Sequence, residues 1–547
     1  MNPAAKSLFV ACALLIISPL AAQPKPDEPR APLFEGTRTP AAPRVTHHAL
    51  AQRYFEQGVV LAWGFNPAEA ARSFEAAARI DPRCSLCWWG IAWALGPSLN
   101  RDMASVDAPR VAAAVRRALA VADTPRERGL ARALAARHPD LQRADAVNEA
   151  AYAERMQALA RSFPRDADVA ELAAESLIDL HPYDWWTAQG APRPWTPEIL
   201  RLLDRALTLD PRHAGAHHYR IHLLESSPHP ERALADARAL TTLVPGSGHL
   251  LHMPAHIFMR VGRYGDAIAS SQAAIAADAR YLAQVDAQGA YRVGYAGHNQ
   301  HFLWAAAAMS GRSALALAAA RAAWPVACGP GRSDRSSAIL QQYYVLPLYT
   351  LVRFGRWSEI LQDTLPPDVA EPYPVAIWHY ARGTAYAKTA RLEEARAELA
   401  QVETLGHDPA MERLRIKNIN PARALVKIAA LTLQADIANA EHDVGKAIVL
   451  LTRATAIEDG LAYDEPHPWL APTRQALGAA LLDANRAAEA EAVYRRDLRH
   501  YPDNPWSLAG LAEALRRQGR REEARAAAQR LAEAARHADV VIARSRF

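Results

Sequence analysis

The sequence predicts an all-α protein built as a solenoid of helical hairpins. Three observations carry that prediction. Half of the 547 residues are apolar, with much alanine and few β-branched runs, a composition that favours helix. Leu477-Gly478, Ala490, Tyr494 and Pro502 are followed 34 residues on by Leu511-Ala512, Ala524 and Ala528, so one pattern of small and apolar residues repeats. A turn signal also recurs, at Gly262-Arg263, Gly311-Arg312, Gly355-Arg356, Ala390-Arg391, Asn485-Arg486 and Gly519-Arg520. Each has Ala or Ile four residues after the Arg. Gly or Asn suits such a turn because the residue that ends a helix tends to need positive φ.

The elements follow in order. Lys6, an apolar stretch at 8–17 and the small-residue end Ser18-Pro19-Leu20-Ala21-Ala22 read as an export signal cleaved after Ala22. The mature chain is therefore expected outside the cytoplasm, in the periplasm. Cys12 lies too early for a lipoprotein attachment cysteine. No later segment is apolar enough to cross a membrane. Residues 23–44 hold Pro24, Pro26, Pro29, Pro32, Pro40 and Pro43 and read as an extended, poorly ordered linker. Repeats then fill 45–211, a histidine-rich block 212–330, and 331–547. Residues 101–165, 181–196 and 280–297 fit the period badly and read as insertions or degenerate repeats. The net charge of +5, or +4 once Lys6 is removed, is spread over 63 basic and 58 acidic residues. That balance supports neither a nucleic-acid partner nor a membrane surface.

The spacing of Leu477-Gly478, Ala490, Tyr494 and Pro502, repeated in Gly58, Ala70, Phe74 and Pro82, resembles the tetratricopeptide repeat. Pro211 and Pro245, and Ala233 and Ala267, keep the same 34-residue step. The resemblance implies a right-handed solenoid of about ten hairpins. It also implies that positions 4, 7, 8 and 11 of each first helix pack, whereas positions 2, 5, 9 and 12 line a concave groove.

Ten of the 20 histidines lie between His213 and His301, and that frame sorts seven of them onto the groove stripe. His218, His252 and His301 occupy position 5, His222 and His256 position 9, His249 and His298 position 2, and Glu225 position 12. Histidines four apart on a helix lie about 5–6 Å apart at Cβ and can share one ion. Ligands on neighbouring helices can converge between them, so His218, His222, His252 and His256 are expected to form a four-nitrogen site. His249, His298 and His301 would complete it or build a second, with Glu225 ligating, bridging or orienting a histidine. Imidazole-rich ligation suits copper, zinc or iron. Two adjacent three-histidine sets would suit dicopper or mixed histidine–carboxylate oxygen chemistry; a sparser zinc site would suit hydrolysis. Metalloprotease, nucleophile-elbow, phosphate-loop and dinucleotide patterns are not apparent.

Glu175 and Asp179, four apart on the preceding helix, Arg260 at position 13, Tyr349 at position 9 and Tyr380 at position 5 extend the stripe as further groove residues. Cys84 and Cys87 are placed to form a disulfide in an oxidising compartment. Trp88 follows them where a haem-attachment motif would have His. Trp88, Trp89 and Trp93 read as core, and Tyr463-Asp464-Glu465-Pro466 as a turn. The functional expectation is a polyhistidine transition-metal site in an exported repeat protein, extending to a metal-dependent enzyme. The alternative is a cell-envelope scaffold whose groove takes a peptide or protein without metal.

Overall fold

In the computed structural model the described residues are 31–39, 43–140, 147–187, 189–285, 287, 291–331, 333–417, 419–469 and 471–547. The export signal, the start of the linker and Pro40 lie outside them. Twenty-five α-helices, two short 3-10 helices, a π-helical turn at Arg292–Ala296 and one two-stranded antiparallel ladder, Arg415–Ile416 with Asn420–Pro421, make up the regular structure of these residues. No helix among them is long and apolar enough to cross a membrane. Successive helices pack as antiparallel neighbours, and one apolar core runs from Ala31 to Ile542. A second core lies among the C-terminal hairpins.

The turn signals behave as their chemistry requires. Gly262, Gly311, Gly355, Ala390, Asn485 and Gly519 all take positive φ, between 56° and 77°. The residue that follows on the second helix has no exposed surface in five of the six hairpins, at Ala267, Ala316, Ile360, Ala395 and Ala490, and Ala524 in the last is half-buried. Phe74 shows how hairpins stack. Its ring lies between Gly58 and Gly90 of successive first helices, where an added Cβ would come within 2.7 and 2.5 Å of it. Tyr494 is wedged in the same way between Gly478 and Gly510.

One expectation needs correction, and another resolves between its alternatives. Residues 31–39 are extended but not a loose linker: Tyr54 Oη donates to the Ala31 carbonyl (2.9 Å) and the Phe34 amide to Gln57 Oε1 (2.7 Å). Phe34 also meets Tyr281 edge-on, so an apolar side chain recruits the segment to the fold. Of the two alternatives for residues 101–165, insertion or degenerate repeats, the helices Ala108–Val121, Pro125–Arg137 and Glu149–Ser162 fit the second, since they continue the stack.

The stack also folds back on itself. Tyr264 Oη donates to the Pro502 carbonyl (3.0 Å), Trp506 Nε1 to the Ala308 carbonyl (3.2 Å) and Arg353 to Gln475 (2.6 Å). Asp539 accepts from the Ser313 and Ala314 amides at 2.6 and 2.9 Å, at the start of the Ser313–Cys328 helix. The C-terminal hairpins therefore press on the turns of the central ones. Residues 461–469 are drawn onto the central hairpins, where Trp469 packs between Tyr349 and Tyr380.

Candidate metal centre

Three first helices build the site: Ala214–Glu225, Gly248–Arg260 and Gly297–Met309. His213 and Ser247 accept at the start of the first two through their side chains. The histidines are then presented at fixed positions of each helix, and they gather as two triads rather than one four-nitrogen site. His218, His222 and His249 form one; His252, His256 and His298 form the other. Within each triad the three ligating atoms lie within 4.8 Å of one another. All are buried except His298, which is half-buried.

The triads are copies displaced by one repeat. Each takes positions 5 and 9 of one helix and position 2 of the next. Ring centroids lie 4.8, 4.9 and 6.1 Å apart in the first triad and 4.8, 4.8 and 5.8 Å apart in the second. Position 2 belongs to the following helix, which is why the pairing of 218 and 222 with 252 and 256 expected from sequence does not occur. Each triad has its own apolar wall. Phe65 stands 4.8 Å from the His218 ring and 4.9 Å from His249; Phe302 stands 4.4 Å from both His252 and His256.

Within the triads, ring nitrogens face one another. His218 Nε2 and His249 Nε2 are 3.0 Å apart, and His252 Nε2 and His256 Nε2 are 2.9 Å apart. Metal–nitrogen bonds of about 2.0–2.1 Å held about 90° apart give that separation. Glu225 joins the two sets: its Oε1 is 3.1 Å from His222 Nδ1, and its Oε2 contacts His256 Nδ1. This is the carboxylate–histidine arrangement that fixes the tautomer and turns the other ring nitrogen toward an ion. Arg260 donates to the Glu225 carbonyl (2.9 Å) and the Ser227 carbonyl (3.2 Å), so it pins the helix end that carries Glu225.

Electrostatics prepare the imidazoles as neutral ligands. Burial holds His218, His249, His252 and His298 well below the usual histidine range, reinforced by charges of neighbouring groups. Burial also lowers His256, against the pull of Glu225. Burial acts to raise the Glu225 carboxyl, but His256 and His222 outweigh it and hold the group ionised.

The remaining expected residues fall elsewhere. His301 joins neither triad; it stacks on Trp304 at 5.3 Å, and neither ring nitrogen has a hydrogen-bond partner. It opens a third copy of the motif that Ala305 at position 9 and Gln342 at position 2 do not complete. Glu175 and Asp179 are buried one hairpin away, on Trp93 Nε1 (3.0 Å) and Arg137 (2.9 Å). Tyr349 and Tyr380 face Trp469 and are covered by the chain's own loop rather than open in a groove. Cys84 and Cys87 are disulfide-bonded at the start of the Ser85–Leu95 helix.

Sequence reasoning missed the rim. Tyr295 lies 5.0 Å from His249, and Asn100 links it to Tyr183, which stays 57% exposed. Lys417, held by Asp464 at 2.9 Å, bears on the second triad and His301, and Arg260 stacks over Tyr463. The turn at 463–466 is therefore part of the roof. Lys417 and Tyr183 lie in connections without a repeat position, so the period gave no signal for them; Phe302, beside His301, had one.

Fold and site together define a helical-repeat protein with a buried, histidine-rich centre. The C-terminal hairpins, residues 481–546, match the tetratricopeptide repeat family. Those residues are therefore tetratricopeptide repeats, and stacked repeats of this kind present extended surfaces. No curated protein matches the chain. Among solved structures it is similar to a human IFIT1 dimer with m7Gppp-AAAA, at 13% identity over 90% of this chain and 91% of that one, TM-score 0.30. It is also similar to the P58(IPK) TPR domain, at 12% identity over 86% and 98%, TM-score 0.21. Likeness at those scores carries no argument about ligands.

Proposed function

We propose that this protein holds two transition-metal ions side by side, one on His218, His222 and His249 and one on His252, His256 and His298. The observation that carries the reading is Glu225, a buried carboxylate set on the Nδ1 atoms of one histidine from each triad. An idle histidine cluster has no need of a shared carboxylate that orients two rings in opposite directions. Three imidazoles for each ion suit copper best, and copper has the highest intrinsic affinity of the first-row divalent metals. Three protein ligands leave a coordination position open, as in sites that act on a small molecule. The exposed Tyr183 and half-buried Tyr295 mark the side from which that molecule enters. Export from the cytoplasm, read from the first 22 residues, fits a copper protein that carries a disulfide.

The test is elemental analysis of the exported protein made under copper-, zinc- and iron-replete conditions. Two ions per chain are expected. His222→Ala and His256→Ala should each remove one, because they belong to different triads. Folded protein without stoichiometric metal overturns the reading.

A further inference from the structure

Where the fold-back closes, a buried cation lacks a counter-ion. Arg353 ends the Ala338–Arg353 helix and is 6% exposed. Its guanidinium lies over the Trp506 ring at 4.0 Å, and Nη1 donates to Gln475 Oε1 at 2.6 Å. Nε and Nη2 are buried and have no hydrogen-bond partner among the described residues. The one partner of the guanidinium is therefore a neutral amide. A buried charge left in that state is costly. Burial pulls the group down to about 9, with Asp497 opposing the fall and Arg546 adding to it.

Arg353 stands in the wall of a cavity of about 30 Å³. Three stretches far apart in sequence share that wall: Val352 and Arg353, the stretch from Trp469 to Gln475, and Ser545 with Arg546. No carboxylate lines it among the described residues. The charges around it do not balance. Arg546 and Lys388 share one carboxylate, Asp436, at 2.6 and 3.4 Å. Asp497 attracts Arg353 from a distance, but its Oδ2 is taken by Ser507 at 2.6 Å, Asn504 at 3.2 Å and Gln475 at 3.3 Å. Glu458 is turned onto Thr473 and raised by burial to about 7. Arg474 is already paired with Asp459. Three cations, Arg353, Arg546 and Lys388, thus face two carboxylates, Asp436 and Asp497, and one monovalent anion would balance them.

We infer that this cavity binds a single halide ion, chloride, on the Nε and Nη2 side of Arg353. A water molecule needs about 10–15 Å³ of such space, so the cavity takes a monatomic ion and is too small for a tetrahedral oxoanion. A cation would meet two arginines, and water would bring no charge to offset them. Trp469 belongs to the roof and Ser545 and Arg546 to the C-terminal end, so the ion ties both to the central helix that carries Arg353. The inference stands independently of metal in the triads.

The test is chloride-35 NMR of the full exported chain, beside thermal melts in sodium chloride and sodium gluconate at equal ionic strength. Binding should broaden the chloride line, and bromide should reverse the broadening whereas sulfate should not. The melting midpoint should rise along a saturating curve with chloride and not with gluconate, since the ion binds the folded state. Arg353→Met keeps a stem against Trp506, removes the charge and should abolish both effects. Arg516→Met, at an exposed pair with Glu513, should keep both. Chloride held by a metal in the triads would survive Arg353→Met, so broadening that persists in that variant overturns the inference. So do broadening that bromide does not reverse, an equal rise of the midpoint in gluconate, or a chloride dependence that Arg353→Met leaves unchanged. If Arg353→Met does not fold, anomalous scattering from wild-type crystals grown in bromide decides: one bromide beside Arg353 supports the site, and none overturns it.

Discussion

Replacing Glu225 by Gln separates a structural carboxylate from one that serves two metal ions. Metal held by His222 and His256 would leave a proton on Nδ1 of each, and Nδ1 faces Glu225, 3.1 Å away for His222 and in direct contact for His256. A carboxylate accepts both. Glutamine offers one oxygen and one amide NH2, so one histidine keeps its acceptor and the other meets a donor. Loss of such an outer partner costs about 10–100-fold in metal affinity, or about 1.4–2.7 kcal/mol. Glu225→Gln should therefore bind one ion about as tightly as wild type and the other about 10–100-fold more weakly. Glu225→Ala should weaken both. Competition against a chromogenic chelator, with stoichiometry from elemental analysis, reads both affinities. Equal weakening of the two ions by Gln, or an Ala variant that binds both as wild type does, would refute the bridging role.

Three further outcomes test the fold. Burial pushes the Glu458 carboxyl from 4.5 up to about 7, while its Oε2 accepts from the Thr473 amide at 2.8 Å. The folded state keeps that proton over a range where the unfolded chain has lost it. Its stabilising contribution is full below about pH 4.5 and is lost as the pH rises through about 7. Glu458→Gln should thus stabilise by at most about 3 kcal/mol at pH 8 and change little at pH 4.5 in urea titrations; an equal shift at both pH values contradicts the assignment. Gly58→Ala forces a Cβ to within 2.7 Å of Phe74 and should destabilise by about 1–3 kcal/mol. Gly265→Ala, whose Cβ would meet only Arg312 at 3.8 Å, should stay within about 0.5 kcal/mol, and matching melts for the two variants would sink the wedge argument. Removing residues 536–547 strips Asp539 from the Ser313 and Ala314 amides and Phe547 from Trp506. Those two amides should then exchange hydrogen faster, and unchanged protection would show that the fold-back does not stabilise the central hairpins.

How much was legible in the sequence follows from what a period can encode. The hairpins were readable because a positive-φ turn and a small residue recur wherever one helix must reverse and pack on the next, as at Gly262 with Ala267 and Gly519 with Ala524. The histidines of both triads were readable for the same reason: groove positions recur. Their partition was not. Positions 5 and 9 of a helix point toward position 2 of the following helix, and only the stagger between hairpins decides that His252 joins His298 rather than His218. The fold-back was also hidden. It rests on contacts such as Tyr264 with Pro502 and Trp506 with Ala308, between segments about 200 residues apart or more with no shared pattern. That closure is what turns the segment 461–469 from an ordinary turn into the cover over Tyr349 and Tyr380.

Repetition also explains why the row of sites changes chemistry along the groove. Position 5, position 9 and the next position 2 converge in both histidine triads, so two successive hairpins supply the same three-cornered place. At Glu171, Glu175 and Gly215 the third corner is filled by the Trp63 indole, whose Nε1 is 2.4 Å from where a Cβ on Gly215 would lie. His218, His222 and His249, then His252, His256 and His298, make two nitrogen sites tied by Glu225. His301 starts a fourth such corner, but Ala305 supplies no ligand, and Gln342 is engaged with the Pro468 carbonyl and Tyr373. The row therefore ends where the loop at 461–469 meets it, and the candidate metal centre lies between the buried carboxyls of Glu171 and Glu175 and the chain's own roof. Restoring the missing corner tests that logic. Ala305→His with Gln342→His should add binding capacity for a third ion only if the convergence of these positions is a property of the stacked hairpins; unchanged capacity in a folded double variant would show that the two natural triads depend on local features such as Glu225 and their phenylalanine walls.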